Sequence, residues 1–263
     1  MTAVVTGWGM HVPGVDAGAH LGLAPTGTAC AADQAKSVLG RRGLLYKEPA
    51  TRLALCAVHH ALGPGTRADV ATAVVASSNL GNVGTVVDVT RTARADGAGA
   101  VSPLSAPNAS SNVVAGSVAI WFGCGGPNLT LCSGATSGAD ALALALLLLS
   151  AGRADRVLVV GAEPEDDTAR ELNRRRRSSP GPLRAAAACV VLQRSGEGPL
   201  LGPVVPASGP GTASGFGETY GADGVLQVAA AAARLSGGSA RGPVPVVCGD
   251  TVDGWRRVEV RAR

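Results

Sequence analysis

The chain has 263 residues, 46% of them hydrophobic and 16% charged, with a net charge of +4, only 3% aromatics and 37 glycines. This composition excludes a disordered chain, allows a buried core with no disulfide or metal staple, and is too weakly basic to imply nucleic acid. Cys30, Cys56, Cys124, Cys132, Cys189 and Cys248 form no C-x-x-C pair and only four histidines are present, which argues against a metal site. The longest apolar run, residues 141–149, is half a membrane span, and no basic-then-apolar leader opens the sequence; the expectation is a cytoplasmic protein with reduced thiols and no membrane partner.

In chain order, Ala3–Thr6 predicts a buried strand closed by a turn at Gly7 and Gly9, followed by an irregular, glycine-rich stretch over 10–45. Pro49 opens a helix through Leu62, stopped by Gly63-Pro64-Gly65. Asp69–Ala76 reads as a buried, parallel-type strand, Thr85–Ala95 as helical, Asn112–Phe122 as a helix ended by Gly123, and Asn128–Cys132 as a short strand. An elbow rich in Gly and Ser leads into an apolar helix over 138–151, hydrophobic all round and hence enclosed. Arg156–Val160 is a strand closed by Gly161-Ala162-Glu163, 164–183 an exposed charged loop, Ala185–Gln193 a strand and 196–215 a Pro/Gly-rich connector. Gly224–Leu235 is a helix, and Val244–Cys248 and Arg256–Val260 are the last strands. Strands alternating with helices imply α/β layering with largely parallel pairing.

Several landmarks hold register with one family. The opening VVTGWGMHVPG, the segment SPLSAPNASSNVVAGSVAIWFGCGGPNLTL and the elbow, helix and strand GATSGADALALALLLLSAGRADRVLVVGAE resemble the β-ketoacyl synthases of fatty-acid and polyketide assembly. The resemblance implies the thiolase-like layered α/β/α/β/α fold with a shortened C-terminal half, residues 1–165 and 166–263 being the two halves of one compact unit. It also implies a thiolate at the tip of the enclosed helix, where the dipole and backbone N–H groups favour negative charge, and two histidines that assist decarboxylation of malonyl on its carrier.

Ungapped counts from Gly126-Pro127 and from Gly161-Ala162-Glu163 both put the family's cysteine on Ala135, and the GETYGADG segment puts one family histidine on Glu218; the other histidine segment is not found. The resemblance therefore implies a non-catalytic partner similar in role to chain-length factors. Such a subunit pairs with a full-length ketosynthase through the strand Asn128, Leu129, Thr130, Leu131 and Cys132, with a homodimer as the alternative. It needs no cofactor of its own beyond contact with the phosphopantetheine of an acyl carrier protein. Without a partner, the Val and Leu side chains of 112–132 would form a sticky patch.

Other readings stay open. A one-residue gap gives T-L-C-S-G, close to the family elbow, and makes Cys132 an acyltransferase nucleophile. Glu218 could replace the histidine in a malonyl-carrier decarboxylase. Arg174, Arg175, Arg176 and Arg177 form either a solvated run or a docking site for an anionic carrier protein. His59 and His60, adjacent on their helix, point to different faces and read as packing or surface residues. Gly7, Gly9 and Gly14 miss the spacing of a nucleotide loop, and Ser137 sits one place too late for a G-x-S-x-G elbow.

Overall fold

The computed structural model describes residues 1–40, 43–178, 181–212 and 214–263. Arg41 and Arg42 of the irregular stretch, Ser179 and Pro180 of the charged loop and Ala213 of the connector lie outside the described residues. The first strand, β1 (Ala3–His11), continues through Gly7 and Gly9, with a register shift between Val5 and Gly7, where a turn was expected. The glycines serve packing instead. A Cβ at Gly7 would stand 2.6 Å from the Ala61 carbonyl, and one at Gly9 would run into Ala57 O, so the helix α3 (Pro49–Leu62) lies directly on the strand there. The stretch expected to be irregular contains two single-turn helices, α1 (Ala17–His20) and α2 (Lys36–Leu39).

β2 (Thr72–Ser77) starts three residues later than predicted because Asp69 turns the chain: its carboxylate accepts from Ala71 N–H and the Thr72 hydroxyl. α4 (Val83–Asp96) and α5 (Val113–Phe122) follow, the latter ended by Gly123 in the left-handed region. β3 (Asn128–Leu131) stops before Cys132. Then come α6 (Ser137–Ser150) and β4 (Arg156–Glu163). The expected loop after β4 holds α7 (Asp167–Arg174), capped by the Asp166 carboxylate on Ala169 N–H and anchored by buried Ala169 and Asn173. β5 (Ala186–Gln193) starts one residue later than read, and the connector contributes β6 (Leu200–Leu201) and β7 (Val205–Ala207). α8 (Asp223–Ser236), β8 (Val244–Asp250) and β9 (Gly254–Arg261) complete the described elements.

The strands join in the order β3-β2-β4-β5-β1-β6-β9-β7, with β8 on β9. Pairing is parallel at β2–β3 and β2–β4 and antiparallel at the other paired strands, which corrects the expectation of a largely parallel sheet. The physical reason is the connection from β4 to β5. Its helix α7 packs on α4 rather than crossing the sheet face, so β5 returns antiparallel.

α3 and α5 cover one face, packing Leu53, Val58 and Val118 on Leu158 and Cys189. α6 and α8 cover the other, and the same core reaches Val246 of β8 and Val258 and Val260 of β9, so the two helices lie between two parts of the sheet. This is the layered α/β architecture the sequence implied. α6 is not enclosed all round: α8 and the sheet take one side, leaving Leu147 61% exposed. The N-terminal ends of α6 and α8 touch through glycines, since a Cβ at Gly138 would stand 2.8 Å from Gly224 Cα.

Candidate functional site

The elbow between β3 and α6 is held from below. Asn79, just after β2, donates its side-chain N–H to Gly134 O at 2.9 Å and accepts from Gly134 N–H and the Ser137 hydroxyl, each at 3.1 Å. The backbone N–H groups of Asn79 and Leu80 in turn donate to the two oxygens of Glu163 at 2.7 and 2.9 Å. Glu163 is fully buried, and burial pushes its carboxyl up to about 7 against the opposing N–H groups of Asn79, Leu80 and Gly221. The sequence used Glu163 only as a counting mark. Its structural role, tying the elbow to the turn at 220–222, was signalled only by a carboxylate ending an apolar strand.

Ala135 lies at the head of α6, 8% exposed, on the wall of a cavity of about 830 Å³. Its backbone N–H donates to Asp253 Oδ2 at 2.8 Å. Asp253 comes from the turn between β8 and β9, where its own N–H donates to Asp250 Oδ1 at 2.7 Å. Gly134, at φ 68, lets that carboxylate approach, because a side chain there would collide with it. At the head of α6, where the helix dipole and a backbone N–H could stabilise a thiolate or an oxyanion, the chain carries a methyl group, and the Asp253 carboxylate takes the N–H.

Glu218 lines the same cavity. Its Oε1 accepts from Tyr220 N–H at 2.9 Å and from Arg176 Nη1 at 3.4 Å. Arg176 Nη2 reaches Asp250 Oδ2 at 3.0 Å, Nη1 donates to Asn173 Oδ1 at 2.8 Å, and the guanidinium lies 3.4 Å from the centre of the Tyr220 ring. Burial works to raise the Asp250 carboxyl, but hydrogen bonds from Ser178, the Asp253 and Val252 N–H groups and Arg176 outweigh it and hold it below the usual carboxylate range. Tyr220, at φ 46, is raised chiefly by burial, with Arg176 opposing. The position expected to hold a proton-transferring histidine thus holds one carboxylate of a Glu218–Arg176–Asp250 ion-pair chain. Asp223, at the start of α8, also faces this cavity. Burial pushes it up to about 6 against hydrogen bonds from Gln227, Ser214 and Thr219, and the sequence reading missed it.

The structure separates other residues that the sequence grouped. Arg176 turns inward, whereas Arg174 and Arg175 are exposed and both pair with Glu171, and Arg177 is exposed; the four arginines do not share one face. Cys132 lies past the end of β3 and is not among the residues lining the cavity; its thiol donates to Ser78 O at 3.0 Å and is raised by burial and by Glu163. Asn128 donates to Ala115 O at 2.8 Å, and Thr130 donates to Asn112 Oδ1 at 2.8 Å, fixing β3 on α5. β3 is the end strand of the sheet; Leu129 is 39% exposed, and Ile120, toward the far end of α5, is 82% exposed. Among the described residues, no cluster of His, Cys, Asp and Glu is arranged to hold a metal ion, and no helix is long and apolar enough to cross a membrane.

No curated protein is a match for the sequence. Among solved structures, the ishigamide ketosynthase/chain length factor superposes with a TM-score of 0.79 at 21% identity, over 100% of this chain and 99% of that one. A type II PKS acyl-carrier protein in complex with its ketosynthase bound to the hexaketide (AntDE:AntF) gives 0.75 at 15%, over 100% and 99%. The ketosynthase ApeO in complex with its chain length factor ApeC, from Xenorhabdus doucetiae, gives 0.62 at 16%, over 99% of each chain. At these identities the likeness shows the fold. The model of the β-ketoacyl synthase N-terminal domain matches residues 30–196, well over half of the chain, and the chain belongs to the β-ketoacyl synthase family.

Proposed function

We propose that this chain is a non-condensing ketosynthase-like subunit that pairs with an active ketosynthase in a polyketide or fatty-acid assembly system served by an acyl carrier protein. The observation that carries this reading is Ala135, with a methyl group at the tip of α6 and its N–H held by Asp253. Condensation needs a covalent holding point for the growing chain, and neither the side chain nor the occupied N–H supplies one. The protein then acts by contact, shaping or stabilising its partner. The structures it resembles include complexes of a ketosynthase with a chain length factor, which supports a paired role here.

The contact surface in this reading is the free edge of β3 with α5. An end strand with unpaired backbone groups is a template for a strand of another chain, and Leu129 and Ile120 add apolar area beside it. The decarboxylase and acyltransferase alternatives gain no support from the geometry. The Glu218 carboxylate is engaged by Arg176 and Tyr220 N–H, and the Cys132 thiol is raised away from its nucleophilic form. The test is co-expression with a ketosynthase from the same gene neighbourhood, followed by size-exclusion chromatography. A 1:1 complex that Leu129→Arg or Ile120→Glu weakens at least tenfold is the expected result. A stable monomer in every preparation overturns the pairing, and a homodimer through the same edge would replace the ketosynthase with a second copy.

A further inference from the structure

A second cavity, of about 710 Å³, lies between β1, the loop after α1, α2 and the C-terminal end of α8. The first cavity adjoins the other end of α8, so the 14 residues of that helix put the two roughly 20 Å apart. The body of the second cavity is apolar, walled by Trp8, Met10, Leu21, Leu23 and Val38, and no Asp, Glu, Lys or Arg is among the described residues that line it. One end is polar. His11 Nε2 donates to Cys30 O at 2.9 Å, which leaves His11 Nδ1 as the acceptor facing His60 Nε2 at 3.5 Å, and the Cys30 thiol lies 3.8 Å from His11 Nε2. Both rings are kept neutral by burial: His11 is lowered, and His60, with added repulsion from His11 and His59, falls to about 4.

The cavity is also preformed. The Asp16 carboxylate accepts from Ala19 N–H, Thr26 N–H, the Thr26 hydroxyl and Gly27 N–H, all between 2.8 and 3.2 Å, which fixes the loop on its rim. Gly14 N–H donates to Ala29 O and Ala29 N–H to Val15 O, closing that loop on itself. The volume falls in the range of ordinary small-molecule sites, about 300–1,000 Å³. A charged ligand would lose its hydration with no counter-charge to meet it, whereas an uncharged one loses little.

We propose that this cavity is a binding site for a small, uncharged, largely apolar molecule with a single polar group, such as a long-chain alcohol, seated with that group at the His11–His60–Cys30 end. Its apolar body lies along Trp8, Met10 and Leu21. The site is separate from the Ala135 cavity and does not depend on the pairing role.

The test uses the full chain and the uncharged fluorophore N-phenyl-1-naphthylamine. Saturable one-to-one binding is expected, with 1-decanol displacing the probe at a concentration at least tenfold lower than decanoate at pH 8. Val38→Trp, inside the cavity, and Ser37→Trp, at its exposed mouth, are each expected to weaken probe binding at least tenfold with unchanged circular dichroism. His60→Leu is expected to reduce the advantage of decanol over decane about fivefold. Probe binding that is absent or non-saturable, that survives both tryptophan substitutions, or that decanoate displaces as well as decanol overturns the proposal.

Discussion

At position 135 the side chain that would hold an acyl group is a methyl, and 2.8 Å from its N–H stands the Asp253 carboxylate. Restoring sulfur alone is therefore not expected to restore reactivity, because a neighbouring anion disfavours the thiolate. Ala135→Cys should react with iodoacetamide more slowly than a free thiol at pH 7.5, and adding Asp253→Asn should speed it about tenfold, the equivalent of one unit of thiol pKa; intact mass over time reads both rates. Arg176 sits between Glu218 and Asp250 with 14% of its side chain exposed. Arg176→Met leaves two poorly hydrated carboxylates without a counter-charge, and urea denaturation should show a loss of about 3 kcal/mol.

The titration of Glu163 sets a further expectation. Its folded value, raised to about 7 from 4.5, means that the folded chain holds a proton the unfolded chain has released. Stability therefore falls as pH rises from about 4.5 through 7, with the last of the loss above 6.5. His60 acts in the opposite direction over the lower part of that window. Its folded value of about 4 against 6.5 means that protonation favours the unfolded chain, so stability is lost as pH falls from 6.5. The urea midpoint should drop between pH 6.5 and 8, and Glu163→Gln should abolish that drop. A midpoint that is flat or rising over this interval would contradict the assignment.

Among the elements, the crossing of α6 and α8 depends on the absence of side chains at Gly138 and Gly224. Gly138→Ala pushes a methyl group into the backbone of α8 and should cost on the order of 2 kcal/mol, read as a lower thermal midpoint. The same kind of contact explains where sequence reading misplaced elements. Gly7 and Gly9 carry the composition of a turn, yet they are small because α3 lies on the strand. The charged segment after β4 lacks an apolar stripe, and its helix α7 rests on a capping carboxylate and two buried residues, a signal too short for periodicity. The long helices α3, α5, α6 and α8 and the strands β4 and β5 were legible because their apolar residues are dense and the helices end at or near Gly.

In the molecule as a whole, α/β layering was legible from the alternation of elements, but strand direction was not, because direction is set by where α7 goes rather than by the strands themselves. The vacated position Ala135 could be counted from two flanks of one contiguous segment. Asp253 lies 118 residues away from it, and Asp250 lies 74 residues from Arg176, so no local pattern announces either contact. Among the surfaces open to solvent are the free edge of β3, with Leu129 39% exposed, and Ile120 of α5 at 82%; the proposed pairing would cover this apolar area.

The most direct measurement is intact mass of this chain within a reconstituted system of ketosynthase, loaded acyl carrier protein and extender. Product formation should require the chain while its own mass stays unchanged and the acyl group resides on the ketosynthase. An acyl adduct on this chain during turnover, whether at Cys132 or elsewhere, would contradict a role by contact alone.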